Sequence, residues 1–345
     1  MGHLTLDILL IFLSFLVSAV ATRLAMIVSI QDIPNERSSH VTPVPRTGGI
    51  AIGLAFFAFL VPIFAFAKFE FPNLLEMSVF TGLAALIWTV ALFDDHRGLG
   101  VRPRLLVQSA VAVVFTFFIA DVDKLSLMPL VSFDLGIIGC LLSMAWIIFF
   151  MNCFNFMDGI NGISAGTALT VALCLASLTD WGFLHLVSLL LIGILAGFLI
   201  FNFPGGRIFM GDTGSQILGY LFAALALLLP QESQGALPFE IVPILFFPFI
   251  FDVCLTLLVR LRRGATMTQG HRDHLYQLLI RSGVSPISVT LGYVAASGIL
   301  GASIWILHQS GVQAWLWLLI AALLAHLVYA FLVYRLAARQ GLFAG

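Results

Sequence analysis

Long apolar runs, each broken by a short polar stretch, govern what this chain can fold into. Crossing the ~30 Å hydrocarbon layer of a bilayer takes about 20 apolar residues in a helix. Runs near or above that length fall at approximately 5–30, 49–67, 75–93, 105–120, 135–151, 160–179, 183–201, 213–229, 238–259, 286–307 and 313–334. With 61% hydrophobic and 10% charged residues and a mean hydropathy of +1.08, an ordinary soluble domain is excluded. In lipid every backbone N–H and C=O needs a partner within its own segment. The expectation is therefore an all-α polytopic membrane protein of ten or eleven transmembrane helices, forming one domain over residues 1–345. The break around Lys68 to Asn73 and the short fourth and fifth segments decide between the two counts.

Basic residues set the orientation. With the N-terminus outside, one face collects all fourteen arginines, from Arg23 to Arg339, and the other holds only Lys68 and Lys124. The rich face is then cytoplasmic, as is the C-terminus. The formal net charge of -1 averages this basic face with an outer one holding Asp121, Asp123, Asp134, Asp180, Glu232 and Glu240. A basic inner face suits anionic lipids and phosphorylated substrates, whereas nothing points to nucleic acid. Ala19-Val20-Ala21 could pass for a signal-peptidase site, but the stretch before it lacks Lys and Arg and contains Asp7, so an uncleaved first helix is expected. Cys140, Cys153, Cys174 and Cys254 have no CxxC spacing and read as packing residues.

Nearly every residue able to do chemistry lies in five loops on the basic face. The first, residues 31–48, has Pro34, Pro43 and Pro45 holding it extended, then Gly48-Gly49, where a helix start is expected to offer free amides to an anion. Arg37, His40 and Arg46 are its candidate phosphate ligands. In the second, Asp94 and Asp95 end an apolar run; side by side on a helix they point about 100° apart, so one can face a metal or a reacting proton while the other accepts hydrogen bonds. The bland alternative is a solvated helix cap.

The third loop is the most specific. Asn152, Asn155, Asp158 and Asn161 recur every three residues, which stacks four polar side chains along one edge of a helical segment, with Gly159 and Gly162 expected to let a ligand approach the backbone. In the fourth, Asp212 is a hard oxygen ligand between glycines, with Thr213 and Ser215 at a helix start; this suits Mg²⁺ and a pyrophosphate together. Phe209 is positioned either to stack on a base or to pack. The fifth, residues 260–285, carries His271, Arg272 and His274, which suit phosphate; no third soft ligand is nearby for zinc.

The blocks PRTGG, FDD, NFMDGINGI, RIFMGDTGS and HRDHLYQ, in this order, resemble the MraY/WecA-like polyprenyl-phosphate N-acetylhexosamine-1-phosphate transferases. The resemblance spans about residues 30–280, nearest the branch that initiates O-antigen or related surface polysaccharides. It implies transfer of a sugar 1-phosphate from a UDP-N-acetylhexosamine to undecaprenyl phosphate, releasing UMP, with Mg²⁺ or Mn²⁺, in a bacterial inner membrane. On that pattern Asp212 holds the metal with Asn155, Asp94 is the base or nucleophile-orienting group, Asp95, Asp158 and His274 complete the catalytic set, and Asn161 contacts uracil. Arg46, Asn152, Phe209, His271 and Arg272 join it as substrate-binding residues. Asp252 matches a further acid of the family, an anchor for the basic loop. Tyr276 and Gln277 stand where relatives have histidines, and are expected to decide sugar choice, between GlcNAc and 6-deoxy N-acetyl sugars. The resemblance leaves open direct attack versus a covalent intermediate, and a homodimer. An ion-coupled secondary transporter, with acids at broken helices near the midplane, is the rival reading.

Overall fold

The computed structural model describes residues 2–27, 31–32, 43–66, 72–128, 131–264 and 272–342. Helix α1 spans Gly2–Ala25, and a two-residue antiparallel pair, β1 (Gln31–Asp32) and β2 (Val44–Pro45), precedes α2 (Gly48–Phe66). Then come α3 (Leu74–Arg97), α4 (Val101–Phe118), a hairpin of β3 (Lys124–Met128) and β4 (Val131–Asp134), α5 (Ile137–Met157), α6 (Ile163–Leu178), α7 (Phe183–Asn202) and α8 (Gly211–Glu232). The chain closes with α9 (Ile241–Leu245), α10 (Phe247–Arg262), α11 (Leu275–Arg281), α12 (Pro286–Gln309) and α13 (Trp315–Arg339).

Eight of these helices are long and apolar enough to cross a membrane: α1, α3, α4, α5, α7, α8, α12 and α13. Gly48–Ile63 and Ile163–Leu178 are shorter apolar helices, and the ninth apolar run is divided into α9 and α10. Each of the eleven runs in the sequence thus corresponds to a helix or helix pair. The division of the ninth has a local cause. Pro248 sits in the first turn of α10, where its missing N–H costs nothing, but it cannot continue a helix from before.

Helix α8 is the axis of the bundle, buried along nearly its whole length against α2, α3 and α5. Small residues permit this, as expected where packing rather than water exclusion drives association. A Cβ at Gly49 would lie 2.1 Å from the backbone nitrogen of Gly214, so α2 and α8 touch backbone to backbone. The α1–α7 pair uses the same device: Gly193 and Gly197 of α7, four apart, admit the backbone of α1, and Ser18 donates to the Ile194 carbonyl at 2.7 Å. Wide apolar faces remain exposed on α1 and α13, as lipid-facing helices require.

Polar helix ends gather at one end of this bundle. The C-termini of α3, α5 and α7 meet the N-termini of α2, α4, α6 and α8 there through side-chain hydrogen bonds. At the other end Lys124 pairs with Asp134 at 3.5 Å, and Glu232 accepts from the Leu184 N–H at the start of α7.

Candidate active site

Three carboxylates, two arginines and an asparagine make a charged row across four helix ends. Gly98, with φ +68°, ends α3 and returns its N–H to the Asp94 carbonyl at 2.7 Å, which fixes the last turn carrying Asp94 and Asp95. As the 100° argument requires, the two side chains diverge. Asp95 turns inward, accepting from the Asp212 N–H at 3.0 Å, the Thr213 N–H at 2.8 Å, the Thr213 hydroxyl at 2.6 Å, and Arg46. It is therefore the cap of α8, supplied by another helix. The residue at the cap position of α8 itself, Met210, has no side chain for the task. Gly211, at φ +65°, has no room for a Cβ, which would fall 2.7 Å from an Asp95 oxygen.

Asp94, also buried, turns toward α4. Its Oδ1 accepts from the Leu99 N–H at 2.5 Å, and its buried Oδ2 has no hydrogen-bond donor among the described residues. The Arg104 Nη1 lies 3.1 Å from that oxygen and also 3.1 Å from Asp212 Oδ2, so one cation spans two carboxylates. Asn155 holds the other Asp212 oxygen through Nδ2 at 2.9 Å and the Ser215 hydroxyl at 2.8 Å. Beneath this row Asp94, Arg104, Gln108 and Gln216 line a cavity of about 20 Å³, room for roughly one water molecule.

Asp158 lies just past the end of α5, partly buried. Desolvation pushes its carboxyl up to about 7, helped by the charges of Asp212 and Asp95 and opposed by the Ser164 hydroxyl. Asp158 thus feels the charges of the row and bears its proton below neutrality.

Several expectations are corrected by packing. Asn152 does not share the open row: its Nδ2 donates to Gln108 at 2.8 Å and to the Ile148 carbonyl at 2.7 Å, and Gln108 donates to Gln216 at 2.8 Å. This amide chain sits one helical turn below Asn155, Arg104 and Asp212 and locks the register of α5, α4 and α8. Asn161 leaves the three-residue register because α5 ends at Met157; its Nδ2 reaches the Pro204 carbonyl at 3.3 Å. Gly48 and Gly49 are not an anion nest. Their N–H groups donate to the carbonyls of Phe209 and Met210 at 2.9 Å each, so they serve the close approach to α8. Gly159 and Gly162 likewise make room for protein, at the Tyr276 hydroxyl and the Phe203 ring. Phe209 is half-buried, and its backbone N–H donates to the Pro45 carbonyl at 2.8 Å, tying the fourth loop to the first.

The last loop is organised by Asp252. It accepts from the Leu275 N–H at 2.9 Å, the Tyr276 N–H at 3.2 Å and the Tyr293 hydroxyl at 2.5 Å, and pairs with His274 Nδ1 at 3.1 Å. Asp252 is an anchor, as the sequence suggested, and it caps α11. His274 is only 3% exposed, its ring near those of Phe156 and Tyr276, so its place is structural support of the loop rather than open contact with solvent. Arg272 is half-buried, and its carbonyl accepts from Arg281 at 3.2 Å; Asp273 pairs with Arg260 at 3.0 Å. Tyr276 is buried at 1% exposure, donating to the Phe156 carbonyl at 3.2 Å and accepting from Gln277 at 3.0 Å. Burial also raises the pKa of that hydroxyl, which stays neutral. A tyrosine so placed braces the 155–159 turn and is closed to a sugar, which removes Tyr276, but not the half-buried Gln277, from the expectation for sugar choice. Arg37, His40 and His271 lie outside the described residues.

Sequence reasoning missed Arg104, counted only among the arginines of the basic face, and Asn202, whose side chain accepts from the Gly162 N–H at 2.7 Å and donates to the Ile208 carbonyl at 2.8 Å, joining the third and fourth loops. The signal for Arg104 was its place on the first turn of the helix after Asp94-Asp95.

Known proteins share this arrangement of sequence. The model of glycosyl transferase family 4 matches residues 77–230. The chain is 30% identical over 322 residues to the decaprenyl-phosphate N-acetylglucosaminephosphotransferase of Mycobacterium tuberculosis, spanning 84% of this chain and 77% of that one. It is 27% identical over 303 residues to a probable undecaprenyl-phosphate N-acetylglucosaminyl 1-phosphate transferase of Bacillus subtilis, spanning 84% and 83%. With the undecaprenyl-phosphate alpha-N-acetylglucosaminyl 1-phosphate transferase of Escherichia coli it shares 26% over 335 residues, spanning 91% and 86%. The chain belongs to glycosyl transferase family 4, the MraY/WecA-like polyprenyl-phosphate N-acetylhexosamine-1-phosphate transferases.

Proposed function

We propose that this protein transfers an N-acetylhexosamine 1-phosphate, with GlcNAc 1-phosphate the first candidate, from a UDP-sugar to undecaprenyl phosphate. The products are the undecaprenyl-diphospho-sugar and UMP, and the step initiates O-antigen or a related surface polysaccharide at the cytoplasmic face of a bacterial inner membrane. The observation that carries this reading is Arg104 lying 3.1 Å from both Asp94 and Asp212 at the helix ends. The position between these carboxylates already accommodates a cation, and two anionic phosphates cannot be brought together without one.

The donor set fits Mg²⁺. Asp212 and Asp94 offer hard carboxylate oxygens, and Asn155 is oriented on Asp212. Among the described residues no group of three His, Cys, Asp or Glu side chains is placed to hold a metal. That matches an ion completed by substrate phosphates and water, the usual habit of Mg²⁺ with one or two carboxylates. When bound, the ion screens the pyrophosphate charge and holds it in line for displacement.

The chain's own residues then divide the work. Asp94, fixed by Leu99, orients the acceptor phosphate, a monoester already nucleophilic near neutral pH, for direct attack on the sugar-bearing phosphorus. Arg104 exchanges its carboxylate contacts for phosphate oxygens as charge builds. Asp95 keeps Asp212 and Thr213 in place. The placement of these acids at helix ends, beside a basic loop set, favours transfer chemistry over a transporter, whose site belongs near the midplane.

The test is incubation of purified protein with undecaprenyl phosphate and a panel of UDP-sugars, with and without EDTA. UMP release that needs both lipid and divalent metal is expected; release without either, or none with any UDP-sugar, contradicts the reading.

A further inference from the structure

On a different part of the bundle, α10, α11, α12 and α13 surround a cavity of about 350 Å³. Its lining positions on α12, from Ser288 and Val289 through Gly292 and Tyr293 to Ala296, recur at helical period and follow one stripe for about 12 Å. The stripe begins in the first turn of α12, beside Leu279 and Val284, so the cavity starts at the end of the bundle that carries the charged row. It is open on one side: Ser288, Gly292 and Ala325 are exposed, while Val289 and Tyr293 are buried. Since α12 and α13 both qualify as membrane spans, that open side faces hydrocarbon. Gly292 marks the gap, for a Cβ there would meet no atom within 4 Å. Apolar walls without partner atoms forgo dispersion contacts that a hydrocarbon chain would restore.

The mouth has a different chemistry. Arg281, exposed, is the last residue of α11, two positions after the lining Leu279, with one guanidinium nitrogen donating to the Arg272 carbonyl at 3.2 Å, and the hydroxyls of Ser285 and Ser288 stand 2.8 Å apart at the start of α12. An exposed guanidinium on the helix that supplies Leu279, with the hydroxyl of Ser288 in the lining itself, is complementary to an anionic head group above an acyl chain. We propose that this cavity binds one acyl chain of an anionic phospholipid, with its head group at Arg281 and Ser288. The back wall connects it to the fifth loop. Tyr293 donates to Asp252, the cap of α11, and receives a hydrogen bond from Tyr329 at 3.4 Å. A chain lying against these two rings braces the side chain that holds α11.

The experiment uses the full-length protein in nanodiscs with phosphatidylglycerol carrying a diazirine on its acyl chain. Labelling is expected in peptides from 286–309 and 315–339, with at least a fivefold loss in Gly292→Leu, which fills the gap, and unchanged labelling of the other helices. Added phosphatidylglycerol should slow hydrogen exchange of the 275–281 amides in wild type and leave the variant unaffected. Ala325→Leu, on the opposite wall, gives a second filled cavity; should neither variant fold, competition of wild-type labelling by unlabelled phosphatidylglycerol but not phosphatidylcholine decides. Labelling insensitive to filling, equal competition by phosphatidylcholine, preferential labelling by a photoreactive polyprenyl phosphate, or cross-linking of the stripe to a second copy would each overturn the proposal.

Discussion

Two helices, α8 and α11, are capped by a carboxylate from a different helix, and the contrast between them separates reaction from support. Asp95 of α3 holds the first amides of α8, and Asp252 of α10 holds those of α11. In both, an anion at a helix N-terminus meets unsatisfied N–H groups and a favourable dipole. Their neighbours differ. Asp95 shares its charge with Arg46 and stands beside Asp94 and Asp212, whose oxygens face a cation. Asp252 is surrounded by Tyr293, His274 and Thr256, with no exposed surface. The same device thus fixes a site whose charges are left to act, and a scaffold whose polar groups are consumed.

The largest expected difference lies in turnover. Asp212→Asn, which keeps shape but weakens a hard-cation ligand, should lower UMP release by about 10³-fold or more. Asp252→Asn should retain measurable turnover. Comparable loss in both would erase the distinction between reacting and supporting ends.

Next is stability. Replacing one carboxylate oxygen by an NH2 leaves part of the buried donors at each cap without an acceptor, so Asp95→Asn and Asp252→Asn should each cost about 2–4 kcal/mol in denaturation of the detergent-solubilised protein. Only Asp95→Asn should also depress turnover of the fraction that remains folded. An Asp95 variant as stable as wild type would contradict its role as cap.

A smaller effect comes from Asp158. Its carboxyl, held up at about 7 against an ordinary 3.8, binds its proton more tightly in the folded state. That contribution to stability is complete below about pH 4, declines as pH rises toward 7 and is gone above it. The slope cannot exceed about 1.4 kcal/mol per pH unit and is reduced by solvent screening. Thermal midpoints measured without metal from pH 5 to 8 should decline and then level, and Asp158→Asn should flatten the decline. An identical profile in the variant would assign the slope to other groups.

The smallest is Tyr276→Phe, which deletes the hydrogen bond to Phe156 and the acceptor for Gln277 at a cost of about 1 kcal/mol. Because the side chain is buried, the ratio of turnover between UDP-GlcNAc and a 6-deoxy analogue should stay as in wild type. A changed ratio would return sugar choice to Tyr276.

Much of this was legible in the sequence because membrane burial leaves little freedom. All eleven apolar runs became helical segments, and the acids at their ends marked the row of Asp94, Asp95, Asn155 and Asp212. What failed depended on packing between distant segments. Gly48-Gly49 looked like an anion nest, but its amides are taken by residues about 160 positions later. The three-residue spacing from Asn152 to Asn161 suggested one edge, and the end of α5 at Met157 split it. Arg104 and Gln108 sit on α4 opposite Asp212 and Gln216 of α8, a pairing 108 residues apart that no local pattern announces. Tyr276 was judged by its chemistry, and burial assigned it to the scaffold instead.

The most direct test of the account is Asp94→Asn, measured for turnover at saturating substrates and for UDP-sugar affinity on the same preparation. On the proposed function Asp94 orients the acceptor phosphate, so turnover should fall by about 10³-fold while nucleotide affinity changes by less than about threefold. Collapse of nucleotide affinity with normal turnover at saturation would contradict it.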